Sequence, residues 1–468
     1  MGTDLSTAHW LTAHGLITIV AVLVYVVTAH VLQQRRHPTA AIAWVLFILL
    51  APYLALPAFL MFGSRKLARP RARAALPAPI DRPRAPWAMQ TALALGQPTP
   101  VRYTDLRVHA DGQDALQSLW RTLDEAEVSI DVCTFILGRD ALGAAVVQRL
   151  AARAQAGVKV RLMVDGLGRW MGGHPDLAPL RRAGAQAVLF VPPLRSPLKG
   201  RINLRDHRKM AIADAGRSSA RLWCGGRNLA SEYFEGTPDR PAWRDLSFDV
   251  GGELVQQAHA LFEHDWHFAQ GHRVPLALAP DRAEGAAMDA RQSAQLIASG
   301  PDQVDDTLYA LLITAAYRAR ECIAMVTPYF VPDAALLLAL CMAARRGVRV
   351  DLVLPARSNH RLSDVARSRA LRALAAAGGH VWFTPQMQHA KLVLVDDALA
   401  LAGSANLDGR SLFINYELMV AFHDPVAIAA FRDWFETERL AAVVHIPQRA
   451  GLLRDIGEGL VLWVGFQL

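Results

Sequence analysis

The sequence predicts an α/β fold: two duplicated units with one active site at their interface, preceded by an N-terminal two-helix transmembrane hairpin. Three observations carry that expectation. The pattern His-x-Lys-x4-Asp, followed by a small-residue turn ending in asparagine, occurs twice in 468 residues. The same order of helical and extended segments surrounds both copies. A surplus of apolar residues is concentrated in the first 63 positions, ahead of either copy.

That N-terminal surplus comes in two runs. Residues 11–32 and 39–63 contain no Lys, Arg, Asp or Glu. Each is long enough, as a helix, to cross about 30 Å of hydrocarbon. Pro52 and Pro57 fall in the second run, and membrane helices tolerate proline better than soluble ones do. The connection is only residues 33–38, which makes a hairpin. No Lys or Arg precedes the first run and a second follows at once, so a cleaved signal peptide is not expected. Arg65, Lys66, Arg69, Arg71 and Arg73 follow the second run, against Arg35 and Arg36 between the runs. The positive-inside rule therefore puts residue 64 onward in the cytoplasm.

Composition narrows the partners. The chain is 52% hydrophobic with a formal net charge of +8. Beside a membrane anchor, that basic balance suits an anionic bilayer surface rather than nucleic acid. No helix-turn-helix or RNA-binding pattern competes. Cys133, Cys224, Cys322 and Cys341 form no C-x-x-C pair and sit in apolar runs. They read as buried reduced thiols, not metal ligands or disulfides. The expected organisation is a hairpin at 1–63, a basic Pro/Ala/Arg-rich linker at 64–100, a first unit at 101–271, a linker at 272–300 and a second unit at 301–468.

In the first unit, residues 115–126 read as a helix and 128–135 as an apolar strand. A helix at 141–156, a strand at 158–164, a helix at 177–183 and a strand at 187–191 follow. The second unit repeats the order: helix 305–320, strand 322–327, helix 334–346, strand 348–354, helix 364–377 and strand 381–384. The segment from Gly157 (Gly-Val-Lys-Val-Arg-Leu) matches the one from Gly347 (Gly-Val-Arg-Val-Asp-Leu). This is duplication of a whole α/β unit, not a short-period solenoid.

The repeated chemistry is His207 with Lys209 and Asp214, then His389 with Lys391 and Asp396. Alternation along a strand puts each histidine and its lysine on one face. Each copy is followed by Gly-[Gly/Ser]-x-Asn, at Gly225-Gly226-Arg227-Asn228 and Gly403-Ser404-Ala405-Asn406. Gly226 and Ser404 let backbone approach a ligand, and Asn228 and Asn406 supply amide donors. Two lysines and two asparagines around one volume make an anion pocket for a phosphoryl group. Two histidines there allow a two-step displacement, one attacking phosphorus and one moving the proton. The lysines carry the positive charge, so no metal and no cofactor is called for. Asp214 and Asp396 complete the signature and are counted with its catalytic set. Each lies an odd five residues beyond its lysine, which points it to the opposite face and predicts a structural role. Asp245 and Glu417 open matching strands after the two asparagine turns. Each is expected to accept a hydrogen bond from the histidine of its own unit and so fix the tautomer.

The duplicated signature resembles that of the phospholipase D superfamily. Within it, the chain is similar to the bacterial cardiolipin synthase family. That likeness is carried by Arg35-Arg36-His37-Pro38, Trp243-Arg244-Asp245, Thr327-Pro328-Tyr329-Phe330-Val331-Pro332-Asp333 and Asn415-Tyr416-Glu417. Asp206 stands where that family commonly has Asn, and Asn359 where it commonly has an acid. The resemblance implies transfer of a phosphatidyl group between two phosphatidylglycerol molecules, giving cardiolipin and glycerol through a phosphohistidine. It implies a phospholipid substrate and a bacterial inner (cell) membrane location with the catalytic part cytoplasmic. It also implies His207 as nucleophile and His389 as general acid and then base, although the residues alone leave the two roles interchangeable. A hydrolase of the phospholipase D type, or another head-group transferase, is the rival reading of the same site.

Overall fold

The computed structural model describes residues 2–31, 38–62, 86–192, 203–236, 240–272, 292–303, 306–448 and 450–464. The basic residues 65–73 and the hairpin connection 33–37 lie outside these.

Helices α1 (Gly2–Val31), α2 (Pro38–Leu50) and α3 (Pro52–Phe62) belong to one compact unit. The second apolar run is thus two helices, not one. Pro52 has no N–H to continue the ladder, so the run divides at Ala51 into pieces of 13 and 11 residues. Tyr25 and Trp44 pack edge-on against Phe59 at ring distances of 5.0 and 5.3 Å. Among the described residues, no helix is long and apolar enough to cross a membrane.

The other unit is the α/β body. Its first half runs α4 (Trp87–Ala94), β1 (Val101–Val108), α5 (Gly112–Asp124), β2 (Ser129–Thr134), α6 (Ala141–Gln155), β3 (Lys159–Asp165), α7 (Gly166–Met171), α8 (Ala178–Arg182) and β4 (Gln186–Phe190). It continues with β5 (Met210–Ala213), β6 (Arg221–Gly225), β7 (Ser247–Gly252) and α9 (Leu254–Ala269). The second half runs β8 (Ser293–Ser299), α10 (Thr307–Arg318), β9 (Cys322–Val326), β10 (Phe330–Val331), α11 (Ala334–Arg345), β11 (Arg349–Pro355), α12 (Arg361–Ala376) and β12 (His380–Thr384). It ends with β13 (Leu392–Val395), β14 (Leu399–Gly403), β15 (Leu407–Asp408), α13 (Gly409–Phe413), β16 (Glu417–Phe422), α14 (Pro425–Leu440), β17 (Val443–Val444) and α15 (Leu452–Val464).

Local chemistry sets these boundaries in the same way in both halves. Asp140 caps α6 through Gly143 N at 2.8 Å, and Asp333 caps α11 through Leu336 N at 3.0 Å. Gly157 and Gly347 follow those helices at φ +92° and +90°, the left-handed conformation that lets the chain turn directly into β3 and β11. β2 and β9 are buried along nearly their whole length, as central strands covered on both faces must be.

Fifteen strands form one sheet, β17-β12-β11-β9-β13-β14-β16-β8-β1-β7-β6-β5-β2-β3-β4, and β10 pairs with β15 separately. Read outward from the antiparallel β1–β8 pair, the halves match strand for strand as far as β12 and β4, and β17 is an extra edge strand on the second half. Two segments placed in linkers by composition belong to this body. Ser293–Ser299 is β8, at the sheet centre, and α4 packs Ala88 and Ala92 into the second half's core. Both segments are short and follow Pro- and Ala-rich sequence, which hid them. The rest of the second linker, 273–291, lies outside the described residues.

Candidate active site

Neither histidine lies in a regular strand. His207–Lys209 and His389–Lys391 are extended segments that lead into β5 and β13. Main-chain pairing between the halves brings them together. Asp206 bridges Tyr416 in parallel, and Gln388 bridges Arg244 in the same way. His207 N donates to Tyr416 O at 2.9 Å, and His389 N donates to Arg244 O at 2.7 Å.

This pairing crosses the acids over. His207 Nδ1 lies 3.0 and 3.1 Å from the two carboxylate oxygens of Glu417. His389 Nδ1 lies 2.7 Å from Asp245 Oδ2. The expectation that each acid serves its own unit's histidine is therefore corrected: each serves the other's. The residue before each acid is zipped to the residue before the opposite histidine, so the backbone leaves no other choice. Donation from Nδ1 to a carboxylate leaves Nε2 unprotonated, the form a nucleophile or base needs.

The two small residues of the turns explain themselves through these acids. A Cβ on Gly226 would sit 2.2 Å from Asp245 Oδ1, so only glycine leaves room for that carboxylate. At the matching position Ser404 Oγ donates to Glu417 Oε2 at 2.6 Å and anchors it. Gly225 and Gly403 allow the turn to pass Leu246 O and Leu418 O, which a Cβ would meet at 2.3 and 2.1 Å. Asn228 Oδ1 accepts from Ile136 N at 3.1 Å and its amide donates to Tyr233 Oη at 2.8 Å. Asn406 turns toward Asp408, with its Oδ1 buried and without a hydrogen-bond partner. Each asparagine keeps one amide hydrogen for a ligand.

Burial dominates the electrostatics. It pushes His207 down to about 4 and His389 to about 3, outweighing their carboxylates, so both rings rest neutral. Burial also lowers Lys209 to about 8 and Lys391 to about 7. It raises Asp245 and Glu417, but the histidines and lysines outweigh it and hold both ionised, Asp245 at about 2. Lys391 acts on His207 as well as on His389, and Lys209 acts on both histidines, so the four groups share one field. Lys391 Nζ stands 3.1 Å from His389 Nε2.

Asp214 and Asp396 are not part of this constellation. Each follows its strand at φ +51° or +47°. Asp214 accepts from the backbone N–H of Glu127, Val128 and Ser129, and Asp396 from that of Arg320, Glu321 and Cys322. They pin the entries of β2 and β9. Counting them with the catalytic residues is corrected, and the structural role read from the odd spacing is what the geometry supports.

Sequence reasoning missed the walls. Phe135 stands edge-on to His207 at 5.1 Å, and Tyr233 to His389 at 5.1 Å, with Trp243 at 5.7 Å. Trp243 stands in the Trp243-Arg244-Asp245 segment that carries the resemblance, which assigns it no place in the site. Beneath His207, Asp206 is fully buried, accepts from Arg208 N at 3.1 Å and contacts Cys133 Sγ at 3.1 Å. Burial, then Asp265, pushes its carboxyl up to about 8.

Comparison with known proteins agrees with this architecture. The family described as cardiolipin synthase, PLD-like domain, matches residues 119–266 and 312–439. The family described as phospholipase D-nuclease N-terminal matches 17–64. Cardiolipin synthase A of Pseudomonas aeruginosa is 32% identical over 434 residues, covering 88% of this chain and 86% of that protein. The corresponding protein of Escherichia coli O157:H7 is 31% identical over 465 residues, covering 91% and 90%. Cardiolipin synthase of Geobacillus kaustophilus is 30% identical over 440 residues, covering 89% and 86%. A phosphatidylserine synthase structure from Haemophilus influenzae shares the fold, with a TM-score of 0.60, 12% identity, 81% of this chain and 100% of that one.

Proposed function

The chain belongs to the cardiolipin synthase family with PLD-like domains, and on that premise we propose that it is a phosphatidyltransferase joining two phosphatidylglycerol molecules into cardiolipin and glycerol. The observation that carries this reading is the crossed pair of neutral imidazoles, each held by a carboxylate from the other half and flanked by a lysine.

In the first step His207 Nε2 attacks the phosphorus of one phosphatidylglycerol. The bond to the terminal glycerol oxygen breaks and His389 supplies the proton, so glycerol leaves and a phosphatidyl-histidine remains. In the second step His389 removes the proton from a hydroxyl of a second phosphatidylglycerol. That oxygen attacks phosphorus, the P–N bond breaks and His207 is restored. Lys209, Lys391 and the spare amide hydrogens of Asn228 and Asn406 hold the phosphoryl oxygens. The arriving phosphodiester adds negative charge beside His389, so that ring takes up from water the proton it delivers to the leaving glycerol, while His207 stays neutral to attack. Glu417 and Asp245 stabilise the cationic rings that form.

The lipid substrate resides in a bilayer. The N-terminal helices, which overlap the matched segment 17–64, expose Leu16, Ile19, Leu23 and Val26 on α1 and Leu46 and Leu50 on α2. They anchor the protein in the bacterial inner membrane, with the α/β body on the cytoplasmic side as the flanking charge predicts. Incubation with phosphatidylglycerol labelled in its terminal glycerol tests the reaction. Cardiolipin and free labelled glycerol in equal amounts are expected. Phosphatidic acid as the main lipid product would make the protein a hydrolase instead.

A further inference from the structure

The last helix, α15, turns its acidic residues toward the protein and leaves the apolar residues of its first turns, Leu452, Leu453 and Ile456, exposed. Asp455 accepts from Arg369 Nε at 3.1 Å and Nη2 at 2.7 Å, and from Arg372 Nη2 at 3.2 Å. Glu458, nearly buried, accepts from Arg372 Nη2 at 2.6 Å and from Arg454 Nε at 2.9 Å. At about 100° per residue, Leu453 and Ile456 project from the side away from Asp455 and Glu458, and Leu452 flanks them at the edge of that side. Leu452, Leu453 and Ile456 are 78%, 85% and 51% exposed. A helix on an ordinary water-facing surface has the reverse arrangement, with its apolar stripe against the core.

The same polarity continues onto α12. Leu362, Val365, Arg369 and Arg372 follow one another at helical spacing along one stripe. The two arginines hold α15, and Leu362 and Val365 are exposed at 52% and 39%. They stand at the end of α12 nearest Asn359 and His360. Those residues touch Tyr329, by a 2.5 Å hydrogen bond and a ring contact at 5.4 Å. Tyr329 lies within electrostatic range of Tyr233, which packs on His389. Arg361 and Arg454 are exposed along the patch.

We propose that the outer side of α15 and the N-terminal end of α12 form a bilayer-docking face, lying in the interfacial layer of an anionic phospholipid membrane. It rests on the lipid-transfer reading above for its occupant. Exposed arginines beside exposed leucines match acidic headgroups over acyl chains, and an interfacial helix of this kind sinks about 5–10 Å into that boundary. The face would present the mouth of the site to substrate still held in the bilayer.

The test uses the full-length protein carrying Leu453→Cys with a fluorophore attached, in vesicles of phosphatidylglycerol and phosphatidylcholine containing spin-labelled acyl chains. The four native cysteines are buried, so labelling is selective. Quenching several-fold stronger than for a label at Asp124→Cys on α5 is expected. Equal quenching at the two sites overturns the proposal. So does a 453 label that is shielded without lipid and cross-links to a second copy, which would make the face a dimer contact. A second variant, with Leu452, Leu453 and Ile456 all changed to Glu, should lose most turnover of vesicle phosphatidylglycerol. It should keep turnover of a short-chain, water-dispersed analogue, and equal loss on both substrates overturns the proposal. Quenching needs no turnover, so a failure of the lipid-transfer reading is told apart from a failure of the docking face.

Discussion

The crossed acids make a sharp prediction, because they assign each carboxylate to a step. Glu417→Gln keeps the shape of the side chain but removes the charge 3.0 Å from His207 Nδ1. When His207 attacks phosphorus its ring becomes cationic. Two unit charges about 4 Å apart at an effective dielectric of about 20 attract by about 4 kcal/mol. A charge-assisted hydrogen bond contributes about 1.5–3 kcal/mol net. A loss of about 2–4 kcal/mol in the transition state slows the reaction about 30- to 900-fold. Asp245→Asn should slow turnover of phosphatidylglycerol by a similar factor, through His389. The two separate when the leaving group no longer needs a proton. With phosphatidyl-p-nitrophenol as donor, the burst of nitrophenolate should recover toward wild type in Asp245→Asn and His389→Ala. It should stay slow in Glu417→Gln and His207→Ala. Recovery of Glu417→Gln together with His389→Ala would refute the crossed assignment. Recovery of Glu417→Gln together with His207→Ala would keep the crossing but exchange the roles of the two histidines.

Three further outcomes follow from the same geometry. Burial holds Lys391 near 7 and Lys209 near 8, so both lose charge as pH rises through those values. KM for phosphatidylglycerol should climb above that range, and Lys391→Arg should move the climb to higher pH. Asp214→Ala or Asp396→Ala removes an acceptor shared by three backbone N–H groups, costing about 2–4 kcal/mol of stability and, in a chain of this length, about 2–5 °C in Tm. Activity per folded molecule should be unchanged, as measured by titrating active sites. Asp206 has a folded pKa raised to about 8, so its stabilising contribution is full below its unfolded value and is lost as pH rises toward 8. Asp206→Asn mimics the protonated form, so its melting temperature should exceed wild type by a margin that grows from pH 4 to pH 8 and then levels.

Most of the α/β body could be read from the sequence for a physical reason. Its buried strands are apolar runs and its helices end at glycine, and both signals are written twice. Matching Gly157 with Gly347 placed β3 and β11 within a residue or two of their observed starts. The histidines and lysines proposed to be catalytic were readable because that chemistry needs those residue types at a fixed spacing. The function of the small residues was not. Gly226 and Ser404 read as ligand-approach positions, whereas one clears space for Asp245 and the other anchors Glu417. That distinction depends on which carboxylate arrives from across the sheet, and no local spacing encodes it.

The crossing was invisible for a deeper reason. Aligning the halves shows that Asp245 and Glu417 are equivalent, but equivalence under a twofold is equally satisfied by pairing within a unit or between units. Only the parallel bridges at Asp206–Tyr416 and Arg244–Gln388 break the tie. The consequence reaches folding as well as catalysis. Two lysines and two carboxylates are buried together, and their formal charges cancel while both histidines are neutral. Separating the halves would leave Asp245 without His389 and Lys391, and Glu417 without His207. Uncompensated buried ions cost several kcal/mol each. Neither half alone can therefore hold a correctly oriented histidine, and the site exists only where the two halves have already closed on each other.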